Sequence, residues 1–264
     1  MTQENQVSIP TESEFPEWLA QNTGVELTIR DDVHYKSATL QMQNQLLKSS
    51  FWKMICDNLK EFNDSYFAEN ENELLKENKE PVIEIKPFNS FIEKVYRKNI
   101  LENERFPKEP DSGWITPTNW FSKINDILRT TITVRYLDGV EYLASRLESL
   151  CQEKSKLIDK CNYIARIEGY YAAHLYFGMA FEIPKREWDT KKVYSSVEIQ
   201  ITTQVKEVIK ELLHYYYEKK RLTKSSSEEI WQWKYDSPEF ATNYLGHIIH
   251  YVEGMIVGIR KGEK

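Results

Sequence analysis

Four short segments carry side chains suited to phosphate chemistry. In "FNSFIEKVYRK", Ser90, Lys94, Arg97 and Lys98 recur at helical steps of three and four, opposite an apolar stripe of Phe88, Phe91, Ile92 and Val95. A hydroxyl and three cations in one row can hold several phosphate oxygens at once, and the same row would serve as a solvated basic face. In "NDILRTTITVRY", Asp126 stands three residues before Arg129 at the entrance of an expected strand. A strand fixes the backbone there while the carboxylate faces a cleft, which suits a magnesium ligand; a turn or helix cap would use the same residue. In "SVEIQITT", strand alternation puts Val197, Ile199 and Ile201 on one face and Glu198, Gln200 and Thr202 on the other. Glu198 and Gln200 then point together, at a ligand or at solvent. Finally "EGYYAAH", residues 168–174, sets Gly169 directly before two rings and His174 three residues beyond the second. The glycine would let the backbone turn and Tyr170 would offer a stacking face, although burial is the commoner fate of tyrosine in a chain with sixteen of them.

Other chemistries are excluded or disfavoured. The sequence contains no G-x-x-x-x-G-K-[ST], G-x-G-x-x-G or G-x-S-x-G. His247 and His250 lie three apart without a third ligand of the right type nearby, which argues against a metal there. Cys56, Cys151 and Cys161 are an odd, widely spaced set and read as reduced thiols of a cytoplasmic protein. With 41% hydrophobic and 29% charged residues over 264 positions, the composition is that of a soluble globular chain. A formal net charge of −6 provides no global field toward nucleic acid or anionic membrane, while leaving room for a local basic groove. No apolar run is long enough to span a membrane, and "MTQENQVSIP" lacks the basic and apolar regions of a signal peptide.

The elements that must position these residues follow from periodicity. Residues 1–25 are expected to form a loose arm. Residues 35–77 favour helix along one apolar stripe of Leu40, Leu46, Leu47, Trp52, Ile55 and Leu59, ending in the solvated run "ENENELLKENKE". Proline and glycine make 101–120 a loop. "TITVRYL", "HLYFGMAFEI" and "VYSSVEIQIT" read as strands, "GVEYLASRLESL" as helix, and 204–220 as a long helix. After the serine-rich connector 222–230 comes a closing helix, in which Gly254, Gly258 and Gly262 would let another helix approach, within the chain or in a homo-oligomer. The fold class is α+β, with a mixed, mainly antiparallel sheet flanked by helices.

Taken in order, these segments resemble the synthetase domain of the RelA/SpoT family, including the small alarmone synthetases. "NSFIEKVYRK" is similar to the family's early helix with its serine, lysine and Arg-Lys pair. "NDILRTTITV" is similar to its strand entrance with the magnesium-binding aspartate. "NYIARIEGYYAAH" resembles D-Y-I…P-K-x-N-G-Y-R-S-x-H, "VEIQITT" resembles E-I-Q-I-R-T, and "HYYYEK" resembles a later H-x-x-Y-K. The resemblance covers residues 82–222 and leaves helical extensions, 1–81 and 223–264, outside it. It implies a nucleotidyltransferase-like fold and transfer of pyrophosphate from ATP to a 3′-hydroxyl, that of a guanosine nucleotide in the usual members, giving (p)ppGpp and AMP. It further implies that Asp126 and Glu198 hold Mg²⁺, with Glu198 the base for the attacking hydroxyl. Ser90, Lys94, Arg97, Lys98 and Arg129 would bind ATP, and Tyr170, His174, Arg166 and Gln200 the acceptor. No His-Asp pair precedes the region, so hydrolase activity is not expected.

The departures from the pattern bear on the acceptor. The family's G-Y-R is Gly169-Tyr170-Tyr171 here, and the arginine of E-I-Q-I-R-T is Thr202. The lysine before the glycine is matched by Arg166, the asparagine by Glu168, and the arginine five residues after the aspartate is replaced by Thr131. Each absent charge-assisted hydrogen bond would cost about 1.5–3 kcal/mol toward GDP or GTP. Cations from the 101–120 loop or from Lys185, Arg186, Lys191 and Lys192 would restore that binding. The alternatives are an adenine nucleotide, or the 3′ end of tRNA, which toxic members of the family modify and which would imply an antitoxin protein. A non-catalytic nucleotide- or partner-binding module is a third reading.

Overall fold

The structure is a computed structural model that describes residues 9–185, 189–210 and 231–262. In chain order its elements are α1 (Phe15–Thr23), α2 (Ile29–Leu47), α3 (Ser50–Asn70), β1 (Glu84–Ile85), α4 (Phe88–Tyr96), α5 (Trp120–Lys123), β2 (Leu128–Val134), α6 (Leu137–Glu153), β3 (Leu157–Ala165), β4 (Tyr171–Pro184), β5 (Thr190–Thr203), α7 (residues 204–210) and α8 (Pro238–Gly262). The five strands form one sheet in the order β1-β2-β5-β4-β3, with antiparallel pairing of β1 with β2 and of β3 with β4. This is the mainly antiparallel, helix-flanked sheet that the sequence predicts. "HYYYEK", the serine-rich connector and Arg186 lie outside the described residues.

The chain divides into two compact units, each assembled from three stretches of sequence. One comprises Met1–Ser49, Ile83–Arg129 and Gly178–Glu198. Its core is aromatic: Tyr35 of α2 packs on Phe91 of α4 at 4.5 Å between ring centroids, and Phe91 meets Trp120 of α5 at 5.1 Å. The expected loose arm instead contains α1, because Phe15 and Leu19 fall one turn apart and both are buried. A single pair of buried residues one turn apart makes a weak periodic signal, yet it suffices once Tyr96 stands opposite Phe15 at 5.5 Å.

The other unit comprises Ser50–Val82, Thr130–Phe177 and Ile199–Lys264. Trp52, Ile55 and Leu59 of α3, Leu143 and Leu147 of α6, and Leu175 and Phe177 of β4 form its core. The single stripe expected over 35–77 is broken. The helix stops at Leu47, Ser49 turns its hydroxyl onto the Leu46 carbonyl, and α3 starts anew at Ser50. Leu40 and Leu47 are exposed as a result. "ENENELLKENKE" is not a solvated helix end either: Leu74 and Leu75 are buried, and Leu75 bridges to Val134. β3 has no signature in the sequence, because this edge strand is exposed along most of its length and has no apolar alternation to betray it. Gly254, Gly258 and Gly262 have open space where a side chain would stand, so no described helix uses them for close approach. The glycine of α8 with a close backbone neighbour is Gly246, which meets the turn at Gly169.

Candidate active site

Asp126 sits in the turn before β2, 9% exposed, between two ammonium groups. Lys86 Nζ donates to Oδ2 at 3.1 Å, and Lys94 Nζ lies 2.9 Å from Oδ1. Each lysine is placed by its own element. The Lys86 N–H donates to the Ile127 carbonyl, and its carbonyl accepts the hydroxyl of buried Tyr35 at 2.8 Å. Lys94 rides on α4, held down by Phe91 and Val95. Burial alone would push the Asp126 carboxyl up, but the pull of Lys94 and Lys86 exceeds it and holds the group below the usual carboxylate range. Burial outweighs the same attraction at Lys86 and lowers its pKa.

Glu198 lies on β5, 3% exposed. Ser196, two residues earlier, donates its hydroxyl to the Asn125 carbonyl at 2.9 Å, which ties β5 to the turn that carries Asp126. The alternation along β5 is as the sequence predicts, with Val197, Ile199 and Ile201 fully buried. The opposite face is largely covered too: Ser196, Glu198 and Thr202 are buried and Gln200 is half-buried.

The basic row of α4 is partly spent on local partners. Ser90 is half-buried, while Arg97 pairs with Glu102 at 3.2 Å and with Glu93 at 3.7 Å. Lys98 reaches Glu102 at 3.8 Å. Both cations belong to a π-helical turn, Arg97–Leu101, in which the helix widens. Arg129, on β2, pairs with Glu84 of β1 at 3.3 Å across the strand pair. Lys86 is a further member of this cluster, and it precedes Ser90 by the same step of four that separates Ser90 from Lys94.

In the second unit, Tyr170 is half-buried at the end of the β3–β4 turn, and its hydroxyl lies 3.0 Å from Nε2 of buried His174. Gln200 accepts from Lys210 Nζ at 3.3 Å, and the Arg166 side chain is exposed. Strand alternation puts Tyr170, Ala172 and His174 on one face of β4. Tyr171 falls on the other with Ala173, Leu175 and Phe177. There its ring stacks on His250 of α8 at 3.8 Å, and Phe177 meets Phe51 of α3. An arginine at 171 would therefore share the helix-covered face, so its absence strips no cation from the face of Tyr170 and His174. Thr202 does lie on the Glu198 face of β5.

The global comparison agrees with this architecture. Small alarmone synthetase 1 from Bacillus subtilis superposes with a TM-score of 0.50 at 17% identity, over 88% of this chain and 95% of that one. The fold is that of a small alarmone synthetase. A GTP pyrophosphokinase family protein from Streptococcus pneumoniae gives 0.49 at 16% identity, over 89% and 97% of the two chains. Small alarmone synthetase 2 from Bacillus subtilis gives 0.46 at 18%, over 83% and 97%. No protein-family model and no curated protein matches the sequence. Of the residues singled out in the sequence, Ser90, Lys94, Arg97, Lys98, Asp126, Arg129 and Glu198 all fall in one compact unit, and Arg166, Tyr170, His174 and Gln200 in the other.

Proposed function

We propose that the chain is an ATP-dependent pyrophosphokinase that transfers pyrophosphate from ATP to the 3′-hydroxyl of a guanosine nucleotide. The observation that carries this reading is the buried Asp126 carboxylate, held between Lys86 and Lys94 beside the strand that bears Glu198. A carboxylate at 9% exposure with two ammonium groups is costly to build for stability alone, since an apolar set of the same volume would do as well. It suits a site where a polyphosphate and a metal arrive together.

Magnesium takes one or two carboxylates and completes its shell with water and substrate phosphates, so Asp126 and Glu198 would be its protein ligands. When bound, it would neutralise charge on the ATP phosphates. Lys86, Lys94 and Ser90 would hold the phosphate oxygens, with Arg97, Lys98 and Arg129 supplying further charge. The acceptor's 3′-oxygen attacks the β-phosphorus, the bond from that phosphorus to the α–β bridging oxygen breaks, and AMP leaves. Glu198 accepts the hydroxyl proton. Tyr170 stacks on the acceptor base, worth about 1–3 kcal/mol, with His174, Arg166 and Gln200 beside it.

A second reading is favoured by Thr202, which leaves the Glu198 face of β5 without the cation that the family pattern has there. It is transfer to the 3′ end of tRNA, with an antitoxin as partner. Incubation with γ-labelled ATP and Mg²⁺ in the presence of GDP, GTP, ATP or deacylated tRNA separates the two. Label in a guanosine nucleotide is the expected result, and label confined to tRNA would replace the first reading by the second. Glu198→Gln should reduce transfer at least a thousandfold, and near-normal turnover in that variant would remove Glu198 from the mechanism.

A further inference from the structure

The turn that carries Tyr170 is gripped by α8, a helix outside the region of family resemblance. Gly169 has φ +78°, and its carbonyl oxygen lies so close to Gly246 that a Cβ added there would stand 2.4 Å from it. A Cβ on Gly169 would in turn lie 2.5 Å from the Asn243 carbonyl oxygen, so backbone packs directly on backbone. On the other side of Tyr170, the Tyr171 ring stacks on His250 with 8° between planes, and its hydroxyl lies 2.8 Å from His247 Nδ1. His247 Nε2 is 2.9 Å from the Ile167 carbonyl, an acceptor only. Nε2 therefore carries the proton, and the tyrosine donates to Nδ1. Lys206 of α7 completes the set, 2.9 Å from His250 Nδ1 and 3.0 Å from Glu253, with 12% and 5% of the two charged side chains exposed.

Tyr170 is thus held between a residue whose backbone α8 clamps and one whose side chain α8 clamps. Two hydrogen bonds close the turn itself, Arg166 N–H to the Tyr170 carbonyl and Gly169 N–H to the Arg166 carbonyl. We propose that α8 is the positioning element of the acceptor half of the site. Gly246, His247 and His250 act through Tyr171 and Gly169 to fix the ring of Tyr170 before an acceptor base arrives. This rests on the reading of Tyr170 as the stacking residue. Fixing the ring in advance removes an ordering cost from acceptor binding and leaves ATP binding untouched.

The test uses the full chain with Gly246→Ala and, as a milder change, Tyr171→Phe, which deletes only the hydroxyl contact. Amide hydrogen exchange without any nucleotide should quicken at Arg166 and Gly169, about tenfold in Gly246→Ala and severalfold in Tyr171→Phe. Acceptor KM should rise by similar factors, with ATP KM and kcat at saturating acceptor within twofold. Rescue in the double variant Tyr171→Phe/His247→Leu, which leaves no unpaired ring nitrogen, is expected to be partial. Unchanged exchange in both single variants would overturn the grip. Faster exchange with an equal rise in both KM values would overturn the positioning role in favour of general loosening. Wild-type protein that transfers to no acceptor would overturn the underlying reading instead, and the substrate-free exchange tells that failure apart from failure of the grip.

Discussion

At Asp126 one side chain ties the proposed chemistry to the stability of its surroundings. Lys86 and Lys94 have side chains only 10% and 19% exposed, and Asp126 is the anion both face. Asp126→Asn should abolish transfer and also leave two ammonium groups buried without a counter-charge, at a cost of about 3 kcal/mol in folding stability near neutral pH. The pH dependence follows from the sign of the shift. The folded-state pKa of Asp126 lies below the unfolded value of about 3.9. Its stabilisation is therefore complete above that value and is lost as the pH falls through the folded one. Urea unfolding of wild type and variant between pH 2 and 7 should give curves that differ by the full amount at neutrality and converge in acid. A constant offset across that range would show that the carboxylate is not what stabilises the pair of lysines. The pairing was not legible beforehand: Lys86 lies 40 residues from Asp126, and nothing in either segment names the other.

Among the elements, α8 is the one whose attachment should respond to pH. His250 faces Tyr171, Lys206, His247 and, through Lys206, Glu253. Burial first, then Lys206 and His247, hold its pKa below the ordinary value of about 6.5. A base with a depressed folded pKa is kept neutral by the fold, so the unfolded chain takes the proton first. Docking of α8 is then at full strength above about pH 6.5 and weakens as the pH falls toward the folded value. His250→Phe keeps a ring against Tyr171 and removes the titration. Exchange protection of residues 166–171 should decline between pH 7 and 5 in wild type and stay level in the variant, and parallel profiles would show that another group titrates. Elements differed in how far their sequences announced them. The sequences of β4 and β5 alternate between apolar and other residues, and α4 has a clean stripe over Phe91 and Val95. β3 and α1 were hidden, the first because an edge strand needs no buried face, the second because its partners come from residues 96 and beyond. The sequence marks Gly169 and Tyr171 by residue type, but not their packing on α8, which depends on a helix about 75 residues away.

For the whole molecule, the balance of charge decides which acceptor suits it. The chain carries a net −6, and among the described residues Arg166 is exposed, Lys210 is on Gln200, and Lys206 is engaged by Glu253. A tRNA would be held mainly through phosphate contacts along its backbone, each releasing counterions. A protein making six to ten of them loses roughly 10³–10⁵ in affinity between 50 and 200 mM salt. A guanosine nucleotide bound by ring stacking on Tyr170 and a handful of polar groups presents a short phosphate chain and should feel the same change far less. Acceptor KM measured at 50, 100 and 200 mM potassium chloride, with ATP and Mg²⁺ saturating, is expected to rise about tenfold or less. A rise of a thousandfold with tRNA as the only productive acceptor would mean that a confined basic track outweighs the negative total. The search for it would then begin at Lys156, Lys160 and Arg166, which are exposed or half-exposed along β3 and its turn. Replacing Lys156 and Lys160 by glutamine, with Arg166 kept, should in that case flatten the salt slope by about two counterions, and leave it unchanged if the acceptor is a free nucleotide.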